Sequence, residues 1–505
     1  MGPAVTTFTP RDFQREFIDR SAARLINEQK CGCAAWHDPG LGKTAATLSL
    51  MQRLDAHLKM EEGRPLRTLV IAPLRVCSRT WPEQIKTWEF PFSHTVLCGT
   101  AKQRTERLNE PTAIHLTNPE SLLTSKRRAT GTNSPSGAPE YQYTTYEWLF
   151  AQKNLPGYDL LILDESQKFK NWSAVRTKSL RKNLARFRWV IGLTGTPADN
   201  SLADAFAQVY ALDRGEGLGK TITFFRNNYM LRGGFQGKGW VFREDRKSQL
   251  YEAVSPVVHR CDAATHLDLP KKIDHIIKVA LPERALTEYV RLERQLFIEL
   301  EAKDAILTAS SAGAMYSLCR QLANGGVYEK IEPGAAGRKV HQIHTAKVEA
   351  LEDLIDELQG KPVLVAYQFQ QDLERLQRAF PKAPIVKGGQ SAKATTQVLD
   401  DWESGNVHVL LTQCQTVAEG IDGLQKGGND IAWFGLTDQP GCHTQYNARV
   451  HRQGNNGKQV RIHYLLAENT VDEAIWDRLQ DKDKTQDALL AALKRHQERQ
   501  QRETY

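Results

Sequence analysis

Short apolar runs alternate with helix-period stretches along the first 215 residues of the chain. Cys31 to Trp36, Thr68 to Ala72, Ala113 to Leu116, Leu160 to Leu163 and Trp189 to Leu193 each read as a short buried strand. Strands that alternate with helices indicate βαβ units and a parallel sheet. From about 216 to 345 the pattern changes to long helical candidates, Pro282 to Leu307 and Ala312 to Ala323, with few strand-like runs. Alternation returns at Pro362 to Ala366, Pro384 to Val386, His408 to Thr412, Ile431 to Gly435 and Arg461 to Leu465. The expected fold class is α/β: parallel-sheet lobes at 1–215 and 346–480, a helical insert at 216–345 and a terminal helix at 481–505. Ala129 to Pro139 (ATGTNSPSGAP) is rich in turn formers and reads as a mobile surface loop.

Composition narrows the class without choosing a function. A chain of 505 residues is too long for one ordinary core and favours about three domains. No run approaches the roughly 18 consecutive apolar residues of a membrane span, so no membrane partner is expected. The opening MGPAVTTFTPRDF lacks a basic stretch followed by an apolar one, which points away from secretion and toward an intracellular protein. The formal net charge of +8 permits nucleic-acid binding without identifying it. Of eight cysteines only Cys31 and Cys33 are close in sequence, and no second pair completes a zinc site, so reduced thiols are expected.

Two motifs carry the chemistry of the first lobe. In Gly40-Leu41-Gly42-Lys43-Thr44 a glycine loop opens a helix, offering main-chain N–H groups and a lysine to phosphates. Lys43 can follow the β- and γ-phosphates, and the Thr44 hydroxyl can ligate magnesium, so ATP and Mg2+ are the expected cofactors. A little over a hundred residues later the apolar run Leu160 to Leu163 leads into Asp164-Glu165-Ser166-Gln167. Asp164 would share the metal ion, and Glu165 would orient or deprotonate the attacking water. GLGKT alone also occurs in structural turns; its specificity comes from the acidic box that follows. The pattern departs from the strict phosphate loop in having His37 where a glycine usually stands. Upstream, the Gln14 amide has the donor and acceptor needed for an adenine edge. In the second lobe Gln445-Tyr446-Asn447-Ala448-Arg449-Val450-His451-Arg452 reads on its own as an exposed basic helix. Arg449 and Arg452 lie three apart, so a helix would put both on one face.

Taken together, FQREF, HDPGLGKT, VIAPLRVCSRTW, LTNPESL, LILDESQKFKN, LTGTPADN and QYNARVHR resemble the motif series of superfamily-two helicases, most closely the Swi/Snf-type ATPases. The likeness runs from about residue 8 to 480, and Lys170, Asn171 and Asn200 are features of that branch. It implies two RecA-like lobes. In such proteins the segments matching Pro73 to Arg75 and Thr117-Asn118 touch the phosphodiester backbone, and Thr194 and Thr196 couple that contact to ATP. Tyr367-Gln368-Phe369 matches the fourth motif and Thr412 to Leu424 the fifth. By resemblance Gln368, Thr412 and Gln413 lie near the nucleic acid, while Gly420, Asp422 and Gln445 lie near the nucleotide. Arg449 and Arg452 become arginine fingers across a cleft. The sixth motif usually ends His-Arg-x-Gly-Gln, whereas this chain has Gln453-Gly454-Asn455. The long segment between TGTP and PVLVA is similar to the helical protrusions of this family, and small stand-alone members are common in bacteriophages.

The resemblance implies a monomeric, DNA-stimulated ATPase that travels along duplex or branched DNA in a bacterial or phage-infected cell, with any protein partners on separate chains. Two further readings stand beside it. One is a strand-separating or branch-migration helicase, which needs a wedge. The other is an ATP-switched DNA-binding scaffold without turnover, which would not need Lys43, Glu165, Arg449 and Arg452 intact.

Overall fold

A computed structural model describes residues 7–133, 139–198, 201–233, 239–301, 309–328, 340–418 and 420–480. The chain divides into two compact units, Met1–Leu267 and Asp268–Tyr505.

The first unit has eleven strands among its described residues: β1 Gly32–His37, β2 Thr68–Ile71, β3 His94–Val96, β4 Ile114–Thr117, β5 Leu123–Asn133, β6 Pro139–Glu147, β7 Leu160–Asp164, β8 Trp189–Thr194, the small pair β9 Met230–Arg232 and β10 Trp240–Phe242, and β11 Val258–Cys261. Seven of them form one all-parallel sheet in the order β11-β1-β8-β7-β2-β4-β3. Its central strands are apolar throughout because both faces are covered, and successive residues alternate between two cores. Leu161, Leu163, Leu69 and Ile71 enter one core with Phe206 and Leu212. Leu160, Ile162, Val70 and Ile191 enter the other, with Phe17, Leu54 and Trp81.

The segment expected to be helical thus contributes a strand, β11, to the first sheet. Its four residues, VHRC, are too few and too polar to show a period in sequence. The expected loop at 129–139 is also corrected: β5 and β6 pair antiparallel from Leu123↔Glu147 to Ala129↔Tyr141, with a register shift before Asn133↔Pro139. Residues 134–138 lie outside the described residues.

In the second unit the strands are β12 Lys271–Val279, β13 Gly326–Tyr328, β14 Val340–Gln342, β15 Val363–Tyr367, β16 Ile385–Val386, β17 Val409–Gln413, β18 Asp430–Trp433 and β19 Gln459–Ala467. Six form a parallel sheet in the order β12-β19-β18-β15-β17-β16. β12 (KKIDHIIKV) was missed because it is a charged edge strand, exposed along most of its length, in a segment dominated by helical patterning. The helical insert is present as Glu283–Glu301 and Ala309–Asn324. Its Tyr289, Cys319, Leu322 and Ala323 pack with Leu364, Leu410, Trp433 and Tyr464 of the sheet. The expected terminal helix at 481–505, and Leu307 of the longer candidate, lie outside the described residues. No described helix is long and apolar enough to cross a membrane. All eight cysteines are free, Cys33 buried and Cys31 half-buried.

A buried ionic network ties the insert to the second sheet. Lys347 Nζ, fully buried, donates to Asp472 Oδ2 at 2.5 Å, Asn324 Oδ1 at 2.9 Å and the Phe434 carbonyl at 3.2 Å. Asn324 donates onward to Asp372 Oδ2 at 3.0 Å, and Arg375 donates to Asp372 Oδ1 at 3.2 Å and to the Asn324 carbonyl at 2.6 Å. Removing one charge strands the other in a low dielectric. Lys347→Met should therefore cost about 3–5 kcal/mol. Lys347→Met with Asp472→Leu should recover most of that loss, as read from the urea midpoint of the second unit's unfolding.

Candidate functional site

Because every strand of the first sheet runs the same way, the loops after β1, β7 and β8 emerge at one edge, the usual location of ligand sites in parallel α/β sheets. After β1 the chain turns through Gly40 (φ 89°) and Gly42 (φ 69°) into the helix Lys43–Glu62. Lys43 Nζ donates to the carbonyls of His37 (2.8 Å) and Asp38 (3.2 Å), so its ammonium is folded back over its own loop. Thr44 is half-buried in the first helical turn. Gly42 combines a left-handed φ with a close approach: a Cβ there would stand 2.5 Å from Gln14 Nε2. Gln14 is buried, with Nε2 donating to the Leu41 carbonyl at 3.0 Å and Oε1 accepting from Arg11 N at 2.9 Å. Both ends of its amide hold main chain, so Gln14 fastens the helix Asp12–Ala22 to the phosphate loop.

Asp164 closes β7 with its carboxylate nearly out of water, accepting from Trp81 Nε1 at 2.9 Å. Burial pushes this carboxyl up to about 6, and the neighbouring Glu165 adds to the rise, while Trp81 and Lys43 pull it back. Glu165 adopts φ 58°, a left-handed conformation costly for a residue with a side chain, and accepts from Gln167 Nε2 at 2.6 Å. Ser166 Oγ donates to Gln208 Oε1 at 2.8 Å, and Gln208 Nε2 donates to the Pro197 carbonyl at 2.6 Å. The acidic box is thereby wired to the TGTP turn, where Thr196 N donates to Thr194 Oγ1 at 3.0 Å. That turn in turn sits on the phosphate loop: a Cβ on Gly195 would meet Pro39 Cδ at 3.0 Å. Trp81 and Gln208 are the residues that sequence reasoning missed. Trp81 stood within a quoted motif, but Gln208 lies in a helix with no local signal.

Arg75 and Asn118 follow the ends of the neighbouring strands β2 and β4, which pair Ile71↔Thr117. Asn118 donates to Glu120 Oε2 at 2.7 Å and also accepts from the Ser121 hydroxyl. Thr117 itself is buried, so its side chain is not presented for a phosphate. Thr412 departs from expectation in the same way. It is fully buried, donating to the Val365 carbonyl at 3.0 Å and bonded to Tyr446 OH at 2.5 Å, because it shares the inward face of β17 with Leu410. Gln413 is the last residue of β17, paired with Tyr367, and Gln368 follows the end of β15; both are half-buried. Gln413 Oε1 accepts from Gly388 N and from Thr416 Oγ1, each at 3.0 Å.

In the second unit the helix Pro440–Asn447 carries Gln445 and ends before either arginine. Arg449 and Arg452 occupy the turn that follows, with Arg452 N donating to the Val450 carbonyl at 3.0 Å, so the helical-face expectation is corrected. They converge nonetheless. Arg449 Nη1 and Arg452 Nη1 reach the same oxygen, Asp422 Oδ1, at 3.0 and 2.8 Å. Loss of water would raise the Asp422 carboxyl, but the two guanidiniums hold it below its ordinary range. Asp422, expected at the nucleotide, is here the organiser of the arginine pair. Gly420 precedes it with φ 147°, and Glu419 lies outside the described residues, as does Asn200. Asn455, the departure in the sixth motif, pins the turn by donating to the Val450 carbonyl at 3.1 Å and accepting from Gly457 N at 2.8 Å.

Comparison with known proteins agrees with this layout. A family model described as the SNF2-related domain matches residues 18–326. Putative protein p41 of Acyrthosiphon pisum secondary endosymbiont phage 1 is 32% identical, the match covering 97% of this chain and 99% of that one. The DNA annealing helicase and endonuclease ZRANB3 of Mus musculus is 24% identical over 95% of this chain, and the ISWI chromatin-remodeling complex ATPase ISW1 of Saccharomyces cerevisiae 22% over 88%. The chain spans only 42% and 37% of the length of those two larger relatives. Among solved structures, the Sulfolobus solfataricus SWI2/SNF2 ATPase core in complex with dsDNA aligns with a TM-score of 0.41 at 19% identity, covering 95% of this chain and 92% of that one. With its family match extending over more than half of its length, the chain belongs to the SNF2-related domain family.

Proposed function

We propose that the protein is a DNA-stimulated ATPase that uses the hydrolytic cycle to move along duplex DNA and remodel DNA or protein–DNA complexes. The observation that carries this reading is the Asp164–Glu165 pair: two adjacent carboxylates, one buried and pushed up to about 6, beside a phosphate loop whose lysine rests on the carbonyls of His37 and Asp38. Such a pair fits a divalent cation, and Asp164 with Thr44 would hold Mg2+, which when bound neutralises phosphate charge. Lys43 exchanges its carbonyl partners for phosphate oxygens. Glu165, set apart from the strand by its left-handed backbone, orients the attacking water and takes its proton. Arg449 and Arg452 are the cations for the charge that develops in the transition state. The names of the mouse and yeast relatives support a DNA-directed role, and Arg75, Asn118, Gln368 and Gln413 are the candidate contacts to the backbone. Contacts of that kind carry little sequence preference and weaken steeply with salt.

Strand separation is the second reading, favoured by the β5/β6 hairpin, an antiparallel arm where only a loop was expected. Forked-duplex unwinding assayed beside triplex displacement separates the two. Shortening the hairpin to a tight turn should leave both DNA-stimulated hydrolysis and displacement in place; loss of unwinding alone would establish the wedge.

Glu165→Gln should retain ATP binding and lose turnover by on the order of a hundredfold or more. Arg452→Ala should lower kcat about a thousandfold. If either substitution leaves DNA-stimulated hydrolysis intact, the assigned centre is wrong. The Asp164 shift adds a pH signature. A carboxyl that titrates near ~3.9 when unfolded holds its proton to about 6 when folded, so the nucleotide-free fold is penalised as pH rises through that window. Asp164→Asn should therefore melt at almost the wild-type temperature at pH 4 and several degrees higher at pH 7.5. Mg2+ with a non-hydrolysable ATP analogue should narrow the difference, and a difference that is flat with pH would remove the case for a cation at Asp164.

A further inference from the structure

His37 replaces the usual glycine at the head of the phosphate loop, and the structure gives it a partner from the far end of the unit. His37 is fully buried and its Nε2 lies 2.8 Å from Nδ1 of His259 on β11. His259 Nε2 stands 3.6 Å from the exposed Glu16 carboxylate on the helix Asp12–Ala22, and Phe17 packs its ring edge on His37 with centroids 5.4 Å apart.

The proton positions follow from what surrounds the pair. His37 Nδ1 is buried without a hydrogen-bond partner among the described residues. A bare lone pair there is tolerated better than an orphaned N–H. His259 must also turn an N–H, not a lone pair, toward the Glu16 carboxylate. Both demands select one arrangement: His37 Nε2–H donates to His259 Nδ1, and His259 Nε2–H faces Glu16. Burial, the neighbouring imidazole, Lys43 and His266 hold His37 down to about 3, and burial, with Arg20 and His266 opposing Glu16, also lowers His259. The pair is neutral at neutral pH.

A second set of bonds runs alongside. Asp38 N donates to the Cys261 carbonyl at 3.0 Å, and Asp38 Oδ2 accepts from Ala263 N at 3.0 Å. Phe13, next to Gln14, packs on His266 with ring centroids 4.9 Å apart. The loop residues whose carbonyls hold Lys43, His37 and Asp38, are thus the ones bonded to residues 259–263. From there the chain runs within a few residues to the boundary at Leu267.

We propose that Glu16, His259 and His37, with Asp38 and Ala263, form a latch that couples the phosphate loop to the segment leading into the second unit. His259 is a positioning residue: it sets the loop through His37 and touches no substrate. Movement of Lys43 from the two carbonyls to phosphate pulls on the latch, and strain arriving along residues 261–267 pulls on the loop. This inference rests on the DNA-stimulated ATPase reading.

The test uses the full chain and measures the ratio of ATP hydrolysis with duplex DNA to that without. His259→Leu should fall by at least about fivefold in this ratio, in the range of ordinary coupling energies. His259→Asn, whose carboxamide oxygen stands near the place of Nδ1, should restore most of it. Should the leucine variant not fold, Glu16→Ala at the exposed end serves in its place and should also lower the ratio. Long-range 1H–15N correlation on 15N-histidine protein should show both rings protonated at Nε2. An unchanged ratio in a folded His259→Leu or in Glu16→Ala, or protonation of either ring at Nδ1, overturns the latch. A wild-type protein that DNA does not stimulate overturns the functional reading itself.

Discussion

A carboxylate kept from water beside a second carboxylate is the constraint around which the first unit is arranged. Asp164 sits at the end of a strand apolar on both faces, so the same apolar residues that bury β7 also desolvate its last residue. The surrounding structure answers with the Trp81 indole N–H, a main-chain hydrogen bond from Glu165 and the charge of Lys43. Burial outweighs all of these, and the carboxyl stays raised. Lys43 is folded back onto the carbonyls of His37 and Asp38, partners that carry no net charge.

Connection between the motifs is side-chain work on a main-chain frame. The parallel sheet brings the ends of β1, β7 and β8 to one edge, but strand order alone would leave three separate loops. Ser166 to Gln208 to Pro197 joins two of them, and the close seat of Gly195 on Pro39 joins the third. Each joint is short and partly buried, where a hydrogen bond lost is expensive and a displacement is passed on rather than absorbed.

Legibility in sequence tracked burial and locality. Central strands such as Leu160–Asp164 and Val363–Tyr367 announce themselves because both faces are apolar, and the phosphate loop and acidic box because their residues are contiguous. β11 and β12 were hidden for opposite reasons, the one four residues long, the other charged and exposed at an edge. The boundary between units could not be read without them, since both strands lie inside the stretch whose dominant pattern is helical. Which way a side chain turns was not legible: Thr117 and Thr412 are buried, and the Gln14 amide is bonded to main chain. Gln208 and His259 were beyond reach, because what matters about each is a partner 42 or 222 residues away.

Asp164 and Asp422 show why motif position and chemical role are separate questions. Both are aspartates, both lose water, and their carboxyls move in opposite directions. Asp164 accepts from an indole N–H and Asp422 from two guanidiniums. One carboxylate shared by Arg449 and Arg452 leaves a unit of positive charge over, and it holds both guanidiniums by a single oxygen. Two like charges brought that close would repel without it, so Asp422 is what allows the pair to exist before an anion arrives. Exchanging the two aspartates' surroundings would reverse both shifts: a guanidinium pair beside Asp164 would lower its carboxyl, and burial without one would raise that of Asp422.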